Sequence, residues 1–207
     1  MDRAERTVEI ALELQALSRN ALTYVKDKYD KERFEKISVL AAELLSIETG
    51  LDKSVVVEIF SKQKGYQTPK VETRGVVFDD GKILLVQQNN KWALPGGWME
   101  YNLTVSENTI KEVEEESGYS VEANKVIAVQ NRSLHNSPRM IFEVIKIFVE
   151  CRLISGEFKE NLETSDARFF TKDEVSFLDL DIDKTTSEQI EMCFDLCNQE
   201  CPKTVFD

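Results

Sequence analysis

The chain has 207 residues, 42% hydrophobic and 31% charged, enough for one domain with a sizeable core or for a domain with an extension. Its formal net charge of −12 argues against broad electrostatic binding to nucleic acid or to an anionic membrane surface. A nucleotide stays compatible, because a bound metal neutralises phosphate locally. The chain shows no charged-then-apolar start typical of a signal peptide and no run of about 18 apolar residues, so a cytoplasmic protein with no membrane partner is expected.

The first part of the chain reads as helix. Val8, Leu12, Leu14 and Leu17 fall at helical spacings, and Leu22 and Val25 prolong the apolar content. A second helix opens near Asp30 and Glu32 and carries Phe34, Ile37, Leu40, Ala41, Leu44 and Leu45 as a stripe ending at Gly50. A short third helix spans Lys53 to Ser61, and the polar stretch Lys62 to Lys70 reads as a linker. The expected division is a helical extension over 1–64 and an α/β domain with a mixed sheet over 65–207.

In that domain the period changes. Val71 to Phe78 and Ile83 to Val86 read as strands joined through Asp79-Asp80-Gly81, and Trp92 to Pro95 as a short strand leading into Gly96-Gly97. A helix with carboxylates follows. Further strands are expected at Val121 to Gln130, Ile141 to Ile154 and Asp166 to Phe170, then a short helix near Lys172 to Ser176 and a closing helix over Lys184 to Asn198. His135, beside Asn136, Ser137 and Pro138, reads as a polar loop residue, and no Gly-x-Ser-x-Gly elbow accompanies it. Cys151, Cys193, Cys197 and Cys201 lack paired metal-ligand spacing and read as thiols in a reducing compartment.

The acidic helix carries the chemistry. Glu112, Glu115 and Glu116 stand at i, i+3 and i+4 and project from one helical face. Like charges stacked this way repel, and oxygen clusters of this kind suit hard divalent cations whose coordination phosphates complete. The plain alternative is a solvated acidic face with Lys111 paired to Glu115.

Gly97, Glu112, Val113, Glu115, Glu116, Gly118 and Tyr119, led in by Leu94-Pro95-Gly96, match the box of the Nudix hydrolase family, which the chain resembles. Two positions depart: Leu103 stands where the box has its first glutamate, and Lys111 where it has arginine. Lysine keeps the charge of the brace but loses its planar fork. Glu100 and Glu107 are both near enough in sequence to substitute for Leu103. The resemblance implies an α/β/α sandwich and hydrolysis of a nucleoside diphosphate linked to another moiety, with Mg²⁺, or alternatively Mn²⁺, as cofactor. It assigns metal binding to Glu112, Glu116, Glu115 and the Gly96 carbonyl, with Glu115 also catalytic. A base from a later loop is a family habit. Between Glu160 and Glu163, the run Glu163-Thr164-Ser165-Asp166-Ala167-Arg168-Phe169-Phe170 favours Glu163.

A second resemblance covers the extension. Leu22-Thr23-Tyr24, Tyr29 to Phe34, and Gly65 to Val71 with Arg74 are similar to a Nudix subgroup that includes ADP-ribose and CDP-choline pyrophosphatases. It implies one of those substrates and a homodimer, the helical stripe otherwise covering the core. Arg74 is expected at a substrate phosphate, with a structural ion pair as the alternative. Trp98 is expected at the substrate, with Tyr101 and Phe142 as further aromatics able to stack on a base or face a choline ammonium, and with core or surface packing as the alternative for each. The rival reading is a Nudix-fold nucleotide-binding protein with little catalysis.

Overall fold

The computed structural model describes residues 3–197, 199 and 203–207. It forms two compact units, Met1–Thr68 and Pro69–Asp207. Among the described residues no helix is long and apolar enough to cross a membrane.

The first unit holds α1 (Arg3–Tyr24), α2 (Lys28–Thr49) and α3 (Lys53–Lys62). Asp27 caps α2 by accepting the N–H groups of Tyr29 and Asp30, one turn before the expected start, and Asp52 caps α3 through Ser54. Small residues bring α1 and α2 together: Ala11, Ala41 and Ala42 are buried. The seam is partly polar, because Ser38 Oγ donates to Gln15 Oε1 at 2.6 Å and Ser18 Oγ to the Phe34 carbonyl at 2.5 Å. Each helix hides one face only. Of the expected stripe on α2, Ala41 and Leu45 are buried while Leu40 is exposed, and Ile10, Leu14 and Leu17 line an exposed face of α1.

The second unit runs β1 (Lys70–Asp79), β2 (Lys82–Gln88), β3 (Lys91–Ala93), α4 (Val105–Ser117), β4 (Tyr119–Asn131), α5 (Arg132–His135), β5 (Val144–Gly156), β6 (Asp166–Phe170), α6 (Lys172–Val175), α7 (Ser187–Cys197) and β7 (Val205–Phe206). The strands form a mixed sheet in the order β3-β2-β1-β5-β4-β7, with β6 on β2. Alternation along the central strands feeds two cores. Val77, Leu84, Val86 and Val149 pack with Val113 of α4. Val76, Ile83, Leu85 and Phe148 pack with Ile190 and Phe194 of α7. Strands covered on both faces carry continuous apolar runs, so the architecture is the α/β/α sandwich.

Three differences from the sequence reading have physical causes. The helix expected from Lys184 starts at Ser187, because Thr186 and Gln189 cap one another: Thr186 Oγ1 accepts from the Gln189 N–H and Gln189 Oε1 from the Thr186 N–H. Its expected last residue, Asn198, lies outside the described residues, as does Cys201. His135 sits at the end of the short helix α5, capped by the Asn131 side chain, and its Nε2 is 2.8 Å from Asp207 Oδ1. Strand β7 has only two residues, paired in parallel with Ala128 and Val129, too short to leave a periodic signal. Cys151, Cys193 and Cys197 are free thiols.

Strand β2 pairs with β1 only beside their turn, at Phe78↔Ile83 and Asp79↔Lys82. Beyond it, the edge of β1 is taken by residues 95–99. The N–H groups of Gly75 and Thr73 donate to the carbonyls of Pro95 (2.8 Å) and Gly97 (3.0 Å), and Met99 N–H donates to Val71 (2.9 Å). Asn108 fixes the far side of this segment. It is fully buried on α4, donates to Thr73 Oγ1 at 2.8 Å and accepts the Glu100 N–H at 2.9 Å. Asn108→Ala orphans both partners and should lower the unfolding free energy by about 2–3 kcal/mol, read from chemical denaturation.

Candidate active site

Two glycines bring the 95–99 segment against α4. Gly96 has φ +146°, and a Cβ there would lie 2.0 Å from the Thr73 carbonyl oxygen. A Cβ at Gly97 would lie 2.7 Å from Glu112 Oε2, so glycine lets the backbone meet the carboxylate directly. Helix α4 is set by a capping box of Thr104 and Glu107 and closed at Gly118.

Glu112 and Glu116, one turn apart, both face this segment. Glu116 is buried; its Oε2 accepts the Gly96 N–H at 2.8 Å and its Oε1 accepts from Gln88 Nε2 at 2.7 Å. Burial raises the pKa of Glu116 despite the hydrogen bond from Gly96. Burial, and after it the charge of Glu116, pushes Glu112 up to about 7. Glu115 is not brought in with them. Residues 115 and 116 differ by about 100° around the axis, and the Glu115 side chain points outward, 59% exposed, to meet Lys111 Nζ at 2.5 Å. Among the described residues no three His, Cys, Asp or Glu side chains are grouped to hold a metal ion.

Lys111 also reaches Glu100 Oε1 at 3.2 Å and Glu112 Oε1 at 3.9 Å. Of the two carboxylates near Leu103, Glu100 therefore meets Lys111, while that of Glu107 accepts from Thr104 in the helix cap. Its carboxylate neighbours, Glu115 first, outweigh desolvation and hold the Lys111 ammonium above its ordinary range.

Arg74 is 4% exposed and belongs to the fold beneath the site. Its Nη1 donates to the carbonyls of Gly96 (2.9 Å) and Leu94 (3.2 Å), and its Nη2 pairs with Glu72 Oε2 at 3.2 Å. The ion-pair alternative is the arrangement present. Glu72 in turn faces Lys146, whose Nζ lies 3.2 Å from Glu72 Oε1 and donates to Asn136 Oδ1 at 3.0 Å and to the Lys184 carbonyl. Burial acts to raise the Glu72 pKa, but Arg74 and Lys146 outweigh it and hold the carboxyl low. Burial, then the Arg74 charge, lowers Lys146 to about 7. The Lys184 ammonium bonds Gln88 Oε1, and both residues line a narrow crevice with Glu116, Arg74, Lys91 and Asp181.

Glu160 and Glu163 are exposed on the loop after β5. Asn161 pins that loop to α4, donating to the Glu115 carbonyl at 3.1 Å while its Oδ1 accepts the N–H groups of Glu163 (3.0 Å) and Thr164 (2.8 Å). Trp98 is 45% exposed, with its ring centroid 6.0 Å from that of Phe142. Lys70 Nζ lies 4.2 Å from the Phe142 centroid and 5.6 Å from that of Trp98. Tyr101 is almost fully exposed. Gln88, Lys184 and Asn161 were not singled out from the sequence. Only Asn161 left a signal there, as an Asx-turn residue.

Residues 68–192 match the NUDIX domain, and residues 5–60 match the UDP-X-like, N-terminal oligomerisation domain. The chain belongs to the Nudix family and is a hydrolase of diphosphate bonds. It is 36% identical over 202 residues to a putative ADP-ribose pyrophosphatase of Bacillus subtilis (strain 168), covering 97% of this chain and 96% of that one. The crystal structure of an ADP-ribose pyrophosphatase from Streptococcus suis 89-1591 matches 68% of this chain and 100% of its own, with TM-score 0.62 and 41% identity. That of a UDP-X diphosphatase matches 100% of both chains, with TM-score 0.63 and 30% identity.

Nudix hydrolases generally use divalent cations. The donor set fits one: two carboxylates whose protonation is favoured by burial, and at Glu112 also by the charge of Glu116, beside a Gly96 carbonyl with a second lone pair. Mg²⁺ takes one or two carboxylates and completes its shell with water and phosphate, so a ready-made cage of three is not required.

Without a divalent cation, Glu112 makes stability depend on pH. Between its ordinary value of 4.5 and about 7 the folded chain keeps a proton that the unfolded chain releases. This contribution therefore falls as pH rises through that window. Unfolding free energies compared across it should decline more steeply for the wild type than for Glu112→Gln. Parallel profiles would contradict the assignment.

Proposed function

We propose that the protein hydrolyses a nucleoside diphosphate derivative with Mg²⁺ or Mn²⁺, and that ADP-ribose is preferred over CDP-choline. The observation that carries this is the Glu112–Glu116 pair held against the Gly96-Gly97 segment. Both carboxylates and the Gly96 carbonyl would hold the cation, with Glu115 at the flank once released from Lys111. Bound there, a divalent ion neutralises phosphate oxygens and lowers the pKa of water.

The remaining work falls to the chain. Water adds to one phosphorus, the bridging P–O bond breaks, and a nucleoside monophosphate leaves the phosphorylated second moiety. Glu163, on the loop pinned by Asn161, takes the proton of the attacking water. Arg74 acts through the Gly96 carbonyl, and Trp98 offers a face for stacking.

The order of substrates rests on Lys70. Its ammonium already lies against the Trp98 and Phe142 rings, so a choline ammonium meets an occupied cation–π site and a like charge. The B. subtilis relative, by its name, points the same way. A panel of ADP-ribose, CDP-choline and UDP-linked sugars, assayed with Mg²⁺ or Mn²⁺ and analysed by product mass, tests the whole reading. Glu116→Gln and Glu163→Gln should each lower kcat by about a hundredfold or more. Lys70→Gln should raise CDP-choline hydrolysis relative to ADP-ribose by roughly threefold or more. Unchanged turnover by Glu163→Gln at saturating cation would remove it as the base. Absence of cation-dependent cleavage across the panel would sink the substrate class.

We propose further that the protein is a cytoplasmic homodimer formed through the helical unit. The match of residues 5–60 to an oligomerisation domain supports this, as does the exposed line of Ile10, Leu14 and Leu17 on α1. The free thiols suit a reducing compartment. Light scattering at micromolar concentration should give twice 23.8 kDa. Leu17→Glu should shift the mass towards one chain, and a wild type that is monomeric throughout would refute the dimer.

A further inference from the structure

We infer that Lys146 is a positioning residue for Glu116, acting on its two carboxylate oxygens through two separate chains of contacts. Lys146 is fully buried on β5, in register with Glu72 on the adjacent parallel strand β1. Along the first arm, Lys146 pairs with Glu72, Glu72 with Arg74, and Arg74 holds the Gly96 carbonyl. The N–H of that same Gly96 donates to Glu116 Oε2. Along the second arm, Lys146 holds the Lys184 carbonyl, the Lys184 ammonium holds Gln88 Oε1, and Gln88 Nε2 donates to Glu116 Oε1.

A buried ammonium is costly, and a methionine of similar length would fill the space without that cost. What methionine lacks is the ability to hold three acceptors at once. Lys146 Nζ donates to Asn136 Oδ1 and to the Lys184 carbonyl, and its charge pairs with Glu72 Oε1 at 3.2 Å. Those acceptors lie on β1, on the turn after α5, and on the segment before α7. One side chain thus ties together three parts of the chain that the sheet alone does not join. Gly96 and Gln88, the two groups that fix Glu116, stand on two of those paths.

The functional consequence rests on the reading of Glu116 as a cation-binding carboxylate, so the test separates the two. With glutamate carboxyl carbons labelled with ¹³C, the Glu116 resonance is identified by its loss in Glu116→Gln. In Lys146→Met with a cooperative unfolding transition, that resonance should shift in the absence of substrate and cation. A resonance unmoved from the wild type would overturn the inference. If Lys146→Met does not fold, Glu72→Gln and Lys184→Met cut one arm each. The inference then requires both to shift the same resonance, and fails if either leaves it in place. Turnover reads the second layer: kcat should fall up to about a hundredfold while KM stays within about threefold. Full turnover in Glu116→Gln would instead refute the role of Glu116 in catalysis, and the resonance would still decide the positioning.

Discussion

A carboxylate withdrawn from water is unfavourable unless polar groups replace its hydration, and the second unit is arranged around satisfying that condition at Glu116. Its two partners come from different parts of the chain. The Gly96 N–H comes from the segment that takes over the edge of β1, and the Gln88 amide from the end of β2, which has left that edge. If β1 and β2 paired along their full length, residues 95–99 would have no edge to occupy. The divergence of two strands joined by a tight turn is therefore what creates room for the site.

The same carboxylate shapes its neighbour. Glu112 lies one turn away and is only partly shielded, so the charge on Glu116 adds to the effect of burial in disfavouring ionisation. Lys111 does not cancel this, because it is 3.9 Å from Glu112 and closer to Glu115 and Glu100. The lysine in place of the family's arginine thus serves the solvent side of α4. Leu103 leaves no gap in that arrangement, since Glu100 supplies a carboxylate to the brace. At the helix surface Lys111 thus lies nearer to Glu115 and Glu100 than to Glu112.

What was legible in the sequence follows from the range of the forces involved. The Asp79-Asp80-Gly81 turn, strand β6 and the box helix are encoded by local periodicity and turn chemistry, and each was readable. Glu112 and Glu116 were readable because helical spacing alone puts them on one face. The outward turn of Glu115 was not, since it depends on which flank of α4 meets the sheet. Lys184 and Gln88 reach the site through contacts far apart in sequence, and no local pattern marks them. The buried charges did leave traces. Lys146 interrupts an apolar strand, and Glu72 and Arg74 stand two apart where β1 reads as apolar, although a strand pattern does not show which partners satisfy them.

That two-residue spacing gives β1 two functions at once. Thr73, Gly75 and Val77 face α4, where Thr73 bonds Asn108 and Gly75 lies against Val113. Glu72, Arg74 and Val76 face the other side, where the first two lead from Lys146 to Gly96 and the third enters the core with α7. A slip of one residue would exchange the two sets, placing charge against Val113 and leaving Lys146 without its carboxylate. The register is pinned by the Asp79-Asp80-Gly81 turn on one edge and by parallel pairing from Lys70↔Val144 to Phe78↔Arg152 on the other. The hydrophobic pattern and the polar chain to Glu116 therefore select the same register, and packing and chemistry are fixed by a single choice.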